Sequence, residues 1–121
     1  MAQYFYNTKE MENRLAGEKY STTNGAWVDG ERVIFGKLTI PTGTRAEPHS
    51  HPNEQFIIIL GGQAQVTIEG EERVVGEDDI IHIPAGAIHS TVVIGDDDLT
   101  FVTAKDTSWG IQGIPADEAG G

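Results

Sequence analysis

Short runs of Val, Ile, Thr and Phe follow one another along most of the chain, separated by pairs that contain Gly, Asn or Asp. Pairs such as Asn24-Gly25 and Asp29-Gly30 are typical of tight β-hairpin turns, because their residues tolerate positive φ angles. Over residues 63–69, apolar side chains occupy the even positions and polar ones the odd, as in a strand with one buried face. Nine strands are predicted, over residues 26–28, 32–40, 45–51, 54–60, 63–69, 71–75, 79–83, 88–94 and 99–104. Many short strands without intervening helices predict an all-β sandwich or barrel.

The predicted strand over 54–60 does not alternate, because residues 56–60 are apolar at every position. A strand that is apolar on both faces needs a second layer over its outer face. A second subunit is the simplest cover, and it predicts a homodimer. A helix, or the N-terminal arm folded over this face, is the alternative within one chain.

Before the first predicted strand, residues 8–16 have the composition of a short helix. Thr8 stands where an N-cap belongs, and Gly17 follows where a helix commonly ends. A coil that packs only Met11 and Leu15 accounts for the same residues equally well. The N-terminus is therefore predicted to form a short arm or helix outside the barrel.

The chain of 121 residues has the length of one domain, which is predicted to span residues 1–121. The barrel core is expected over about 26–104, and a loose tail over about 115–121. The start of the tail is predicted to be anchored by Trp109, Ile111 and Ile114. No cysteine is present, which excludes disulfides, thiolate nucleophiles and thiolate metal sites.

Acidic residues dominate the charge, with 19 Asp and Glu against 8 Lys and Arg, for a net charge of -11. Such a balance argues against binding to nucleic acid or to anionic membranes, because both need clustered cations. The first residues show no basic start followed by a long apolar run, and the run 56–60 is too short to cross a bilayer. A cytoplasmic protein is the expectation.

Two of the four histidines, His49 and His51, are separated by a single residue within a predicted strand. Residues i and i+2 of a strand point to the same face, so both imidazoles can reach one metal ion. Pro52 cannot donate to a sheet ladder, so the chain is expected to bend there, and Gln55 in the next strand can face inward as well. The spacing alone fits a metal site, and it also fits two exposed polar residues near a turn.

The other two histidines occur later in the chain. His89 follows a Pro-Ala-Gly turn and begins a predicted strand, whereas His82 stands between two isoleucines. An isolated histidine is more often structural than ligating, and a structural role is predicted for His82.

Two motifs connect these residues in a pattern that resembles the cupin superfamily. The first motif is Gly, five residues, His-x-His, three or four residues, Glu, six residues and Gly; its positions here are Gly43, His49, His51, Gln55 and Gly62. The second motif is Gly-Asp, four residues, then Pro-x-Gly-x-x-His; its positions here are Asp78, Asp79, Pro84, Gly86 and His89. The resemblance covers about residues 32–104 and indicates a small single-domain member of the cupin_2 type, with the motif His-x-His-Pro-x-x-Gln.

This resemblance implies a double-stranded β-helix, or jelly-roll barrel, with one divalent transition metal ion per chain. His49, His51 and His89 would bind the ion, and Gln55 occupies the position of the fourth ligand, which is usually Glu. An amide in place of a carboxylate leaves the ion with its full positive charge and strengthens its Lewis acidity. Zn, Mn, Fe, Ni, Co and Cu all suit such a donor set.

Two alternatives at the fourth position stay open. In one, Gln55 faces the ion without binding it; in the other, Glu54 rotates inward as the ligand. The chain also departs from the family at Asp78, which replaces a Gly, and at Val93, which replaces the Asn that often ends the second motif.

Strand parity supplies further candidates around the ion. Arg45 and Glu47 share the parity of His49, so Glu47 is a candidate general base, and a surface pair of Arg45 with Glu47 is the alternative. The predicted pocket is mostly apolar with a few hydroxyls, and its residues are Ile57, Ile59, Thr91, Val93, Phe101 and Thr103, with Trp27 and Phe35 as further possibilities.

A small organic molecule that chelates the ion through oxygen fits such a pocket. A phosphorylated sugar fits less well, because Lys37, Lys105 and Arg45 are the only nearby cations. The prediction is a metal-binding cupin whose ion acts as a Lewis acid in a lyase, isomerase or cyclase reaction on a carbonyl substrate. A metal-dependent dioxygenase and a non-catalytic cupin that binds a metal or ligand are the alternatives.

Overall fold

A computed structural model describes residues 3–119, and within them the chain forms eleven strands, one 3-10 helix and one α-helix. The strands are β1 (Arg14–Leu15), β2 (Asn24–Asp29), β3 (Val33–Ile40), β4 (Arg45–Ser50), β5 (Gln55–Gly61), β6 (Gln63–Ile68), β7 (Glu71–Val75), β8 (Ile80–Ile83), β9 (His89–Ile94), β10 (Leu99–Asp106) and β11 (Ile114–Pro115). The 3-10 helix spans Thr8–Glu10, and helix α1 spans Ala116–Ala119. Neither helix is long and apolar enough to cross a membrane.

The strands form two antiparallel sheets. The six-stranded sheet has the order β1-β2-β3-β10-β5-β8, and the five-stranded sheet has the order β11-β4-β9-β6-β7. Neighbours such as β3 and β10 are distant in sequence, which is the crossover pattern of a jelly roll. The predicted all-β class and double-stranded β-helix are therefore confirmed.

Each of the nine predicted strands is present, with both ends within two residues of the prediction. Alternating burial explains this agreement: in β10 every second residue from Leu99 to Lys105 is buried. The sequence pattern does not predict β1 and β11, because each is a two-residue pairing without an apolar period of its own.

Of the two alternatives for residues 8–16, a helix over the whole range is not formed. The helical part is a single 3-10 turn, Thr8–Glu10, whose cap is the Asn7 side chain rather than Thr8. The chain then extends into β1, which pairs with β2, and Arg14 forms an ion pair of 3.0 Å with Asp29. Sheet pairing has therefore outweighed a weak local helix propensity.

The C-terminal segment is held against the barrel over part of its length. Ile111 is buried, and β11 pairs with residues 49–50 of β4. Helix α1 then continues to Ala119, and residues 120 and 121 lie outside the described range. The structure assigns β11 and α1 to residues 114–119, and the loose tail over about 115–121 stays a prediction from the sequence.

The core lies between the two sheets and leaves the outer face of the six-stranded sheet apolar and exposed. Cross-strand rows on this face place Ala104 between Phe35 and Phe56, and Ile58 beside Ile80. This agrees with the prediction that the strand over 56–60 is apolar on both faces.

The N-terminal arm does not cover that outer face. Tyr4 and Phe5 of the arm are themselves 80% and 88% exposed. Helix α1 contacts β4 and β11, which belong to the other sheet. Cover from within one chain, by the arm or by a helix, is therefore wrong for the part of the chain that the structure describes.

Candidate metal centre

Three buried histidines converge at one end of β4 and β9. His49 is the penultimate residue of β4, His51 follows that strand directly, and His89 is the first residue of β9. The ladder pairs His49 with His89, and one ring nitrogen of each of the three residues lies within 4.8 Å of the others. These three histidines can hold a metal ion, as the motif positions imply.

Backbone carbonyls fix the orientation of each imidazole. In every ring the Nδ1 atom hydrogen-bonds to a main-chain oxygen two residues away, which leaves the Nε2 lone pair free to bind a metal. The acceptors are the carbonyls of Glu47 (2.7 Å from His49), Asn53 (2.9 Å from His51) and Ala87 (2.9 Å from His89). Because these acceptors are main-chain carbonyls, they cannot be identified from the residue types in the sequence.

Burial keeps these imidazoles neutral. Desolvation lowers the pKa of His49 to about 4 and that of His89 to about 3, and it lowers the pKa of His51 as well. A neutral imidazole is the form that binds a metal. The site therefore presents three ligating nitrogens at neutral pH without first having to lose a proton.

Gln55 supplies an oxygen beside the imidazoles. Its Oε1 atom lies 3.0 Å from Nε2 of His51, while its amide nitrogen donates to Thr103 Oγ1 at 2.9 Å. Thr103 in turn donates to the carbonyl of Phe56 at 2.9 Å, which leaves its oxygen free to accept from the amide. With Nδ1 of His51 as the donor to Asn53, Nε2 and Oε1 face each other as two acceptors, which a cation between them would satisfy. The residues present thus fit a metal ion.

Glu54, the alternative ligand, lies outside the group. Its carboxylate is 2.6 Å from Nε2 of His82, and both side chains are about half exposed (51% and 46%). The His82 ring also stacks on Phe56 with 4.5 Å between centroids. Both residues therefore belong to the surface of the six-stranded sheet, where His82 has satisfied partners.

The expected position of Glu47 requires a correction. The register between β4 and β9 shifts between Ala46 and His49, so strand parity changes there. Ala46 and His49 are both buried, and Glu47 is exposed with its carboxylate 3.4 Å from Arg45. Glu47 contributes its backbone carbonyl to His49, whereas its side chain is exposed and does not line the cavity.

A cavity of about 60 Å³ lies beside the histidines, with His49, Gln55 and His89 in its wall. Of the predicted pocket residues, three line it: Ile57, Thr91 and Phe101. Ile59, Val93 and Thr103 are buried but belong to the surrounding core. Trp27 also lines the cavity, whereas Phe35 is 53% exposed, because it lies on the outer face of β3.

Lys105, which the sequence pattern indicates only as a cation near the site, is part of the cavity lining. The residue is 6% exposed and lines the cavity. Its Nζ atom lies 3.4 Å from the Ile111 carbonyl and 5.6 Å from the centre of the Trp27 ring. Burial lowers the pKa of Lys105 to about 8, and its charge contributes to the lowered pKa of the three histidines. The available clue was parity, since Lys105 continues the inward series of Phe101 and Thr103.

Tyr20 and Asn53 complete the surroundings of the histidines, and no sequence motif identifies either. The Tyr20 ring stacks on His49 with centroids 4.0 Å apart, and burial raises the pKa of its hydroxyl to about 12. Asn53 is fully buried, and its amide nitrogen donates to the carbonyls of Asp106, Trp109 and Gly110.

Comparison with solved structures supports the fold. An RmlC-like cupin from Shewanella frigidimarina has a TM-score of 0.74 at 15% identity, covering 87% of this chain and 91% of that one. The polyketide cyclase RemF from Streptomyces resistomycificus has a TM-score of 0.73 at 19% identity, covering 87% and 80%. A predicted oxalate decarboxylase from Thermotoga maritima has a TM-score of 0.73 at 18% identity, covering 85% and 98%. At such identities the likeness concerns the fold alone.

Curated relatives match over a shorter stretch. Mannose-1-phosphate guanylyltransferase ManC from Salmonella typhimurium is 37% identical over 62 residues, which cover 50% of this chain and 13% of the relative. The Escherichia coli enzyme of that name is 34% identical over the same share. The matched segment is a small part of those proteins, so their activity is not carried over.

The family model for the cupin domain matches residues 36–105, which is more than half of the chain. The matched range begins within β3 and ends within β10, so it contains His49, His51, Gln55 and His89. Because the match spans both histidine motifs and the strands that carry them, the chain belongs to the cupin-domain family.

Proposed function

We propose that this protein is a metal-dependent enzyme that uses one divalent transition metal ion as a Lewis acid on a small, oxygen-chelating carbonyl substrate. The reaction class is that of a lyase, isomerase or cyclase. The observation that carries the proposal is the donor set: three neutral imidazoles, each fixed by a backbone carbonyl, with a neutral amide oxygen beside them.

When bound, a divalent ion supplies the Lewis acidity that polarises a carbonyl oxygen. The chain's own groups hold and shield the site. Backbone carbonyls orient the imidazoles, and the stacked Tyr20 ring covers one face of His49. Ile57 and Phe101 give the cavity an apolar wall, and electrostatic interactions are stronger in such surroundings than in water.

The neutral donor set favours this reaction class over dioxygenation. A carboxylate ligand would offset the positive charge that an ion gains on oxidation, and a neutral amide does so less. Exposed Glu47 and Glu54 do not supply a replacement carboxylate, since both lie outside the cavity lining. Dioxygenase activity and binding without turnover are therefore outcomes to be distinguished by experiment.

Elemental analysis of protein purified without a His tag or added metal is the first test. We expect about one equivalent of transition metal per chain, its identity read from the same measurement. His49→Ala should lose the metal while circular dichroism shows an intact fold. His82→Ala is the matched control, because this histidine lies on the surface with Glu54, and it should retain the metal.

Turnover requires a second test. The metal-loaded protein is incubated in D₂O with a panel of small 2-oxo and 2-hydroxy compounds, and NMR follows exchange or loss of their C–H protons. Lewis-acid chemistry predicts reaction without oxygen consumption, abolished in His49→Ala. Oxygen uptake would instead identify a dioxygenase, and metal binding without any reaction would support a non-catalytic role.

For the assembly we propose a homodimer in which a second copy covers the outer face of the six-stranded sheet. The supporting observation is the apolar character of that face, where Phe35, Phe56 and Ile80 are all about half exposed or more. Its partner is a matching sheet face, since two such faces pack through interlocking apolar side chains. A cytoplasmic location stays a prediction from the sequence.

A further inference from the structure

Charge is distributed unequally between the cavity and the rest of the protein. The chain has 19 Asp and Glu residues, yet none of the described residues that line the cavity is acidic. Histidines aside, Lys105 is the single ionisable cation in that lining. The ligand position usually held by Glu is also neutral, because it is Gln55. An acidic protein thus contains a cavity whose described lining has no acidic side chain.

The ammonium group of Lys105 lacks an anionic partner. The side chain is 6% exposed, and no carboxylate of the described residues pairs with its Nζ atom. Its contacts are one long hydrogen bond of 3.4 Å to the Ile111 carbonyl and the face of the Trp27 ring at 5.6 Å. Burying a charge with so little compensation is unfavourable, unless a ligand completes its hydrogen bonds.

The cavity lining also includes a residue whose side-chain donor has no acceptor. Trp27 is 4% exposed, and its indole Nε1 atom is buried without a hydrogen-bond acceptor. Lys105 and Trp27 are close to each other, as the contact between ammonium and ring shows. A buried ammonium with one long hydrogen bond and an indole N–H without an acceptor form surroundings that suit an anionic oxygen, since the described cavity lining holds no carboxylate.

We propose that Lys105 and the indole N–H of Trp27 bind the carboxylate of a small organic acid whose neighbouring oxygen reaches the histidine centre. This inference rests on the proposed function and specifies its substrate class as a 2-oxo or 2-hydroxy acid. The cavity of about 60 Å³ has room for only a few water molecules, which favours a small acid. The apolar lining alone would favour an uncharged compound, whereas Lys105 and Trp27 favour an acid.

The test compares lactate with lactamide, which share a hydroxyl and differ in the charge of the adjacent group. Calorimetry on zinc-loaded wild-type protein should show lactate binding about tenfold more tightly, since a charge-assisted contact exists for lactate alone. Lys105→Met should remove this preference without loss of zinc, and Trp27→Phe should reduce it. Lys37→Met is the matched control, because it removes an exposed cation from β3 and should keep the preference.

Equal affinities of the wild type for lactate and lactamide, or no lactate binding, would overturn the inference even if Lys105→Met fails to fold. Retained preference in folded Lys105→Met would do the same. Tighter Lys105-dependent binding of inorganic phosphate would assign the site to a different anion and also contradict the proposal. Zinc content is measured in each sample, so failure to hold metal, which counts against the proposed function, is distinguished from failure to select an acid.

Discussion

The Nε2 atom of His51 lies 3.0 Å from the Oε1 atom of Gln55, and with Nδ1 of the neutral ring as the donor to Asn53 neither of these two atoms carries a proton. The contact thus brings two acceptors together inside the barrel, at the position where cupins usually hold a carboxylate. A bound cation would make both atoms ligands. Because Gln55 is neutral, the four donor groups of the centre add no negative charge to a bound ion.

Replacing the amide by a carboxylate should strengthen metal binding. Gln55→Glu adds a negative charge to the donor set, and we expect zinc affinity to rise by about tenfold or more. Competition with a chromophoric chelator measures the change. Gln63→Glu adds the same charge at an exposed position of β6 and serves as the control. Equal effects of the two variants would show that the side chain at position 55 is not a ligand.

Acid should destabilise the metal-free protein through its histidines. The pKa of His49 is about 4 and that of His89 about 3 in the folded state, below the ordinary value of 6.5. Between the folded-state pKa and the ordinary value of 6.5, the unfolded chain binds more protons than the folded chain. The contribution of the neutral histidines to stability is therefore fully present above about pH 6.5, and it decreases as the pH falls toward 4. We expect Tm to fall by at least about 5 °C between pH 7 and pH 4.5.

Variants separate this effect from general acid denaturation. His89→Gln removes one of the buried imidazoles and should lessen the decrease in Tm, whereas His82→Gln changes an exposed residue and should not. Metal-loaded protein should resist acid over the upper part of the range, since bound metal and protons compete for the same nitrogens. If Tm depends on pH in the same way in the metal-free wild type, His89→Gln and His82→Gln, the buried histidines are not the cause of the acid sensitivity.

Asn53 should be essential for stability. Its side-chain amide nitrogen donates to three carbonyls of the segment 106–110, and its main-chain carbonyl accepts from Nδ1 of His51. Asn53→Asp keeps the shape but removes the donor and buries an acid, so we expect a loss of roughly 2–4 kcal/mol in the free energy of unfolding. Urea unfolding measures it, with exposed Asn13→Asp as the control. Equal midpoints for the two variants would refute this role.

The apolar outer face should mediate dimerisation. Light scattering is expected to give about twice the chain mass of 13.1 kDa for the wild type and the single mass for Ile58→Glu. Ile58 lies at the centre of the row that pairs β10, β5 and β8. Val74→Glu introduces the same charge at a position of β7 that is 63% exposed, and it should stay dimeric. A monomeric wild type would contradict the proposal.

Most of the fold is predictable because strand alternation is local. In β6, the buried residues Ala64 and Val66 follow the even positions of the sequence pattern. The site is predictable only in part. His49 and His51 share a face because they are two residues apart, but the shift after Ala46 reverses the parity of Glu47, and no residue type announces that shift.

The sequence by itself determined the strands, the jelly-roll class and the three histidines, since these follow from period, turn residues and motif spacing. Tertiary structure alone decided the surroundings of the metal centre. Backbone carbonyls orient the imidazoles, and Tyr20 stacks on His49 from a segment without a motif. Lys105 becomes a buried cation because the opposing sheet and Trp27 enclose it. Gln55 carries both contributions: the motif identifies its position, and the fold turns its oxygen toward His51.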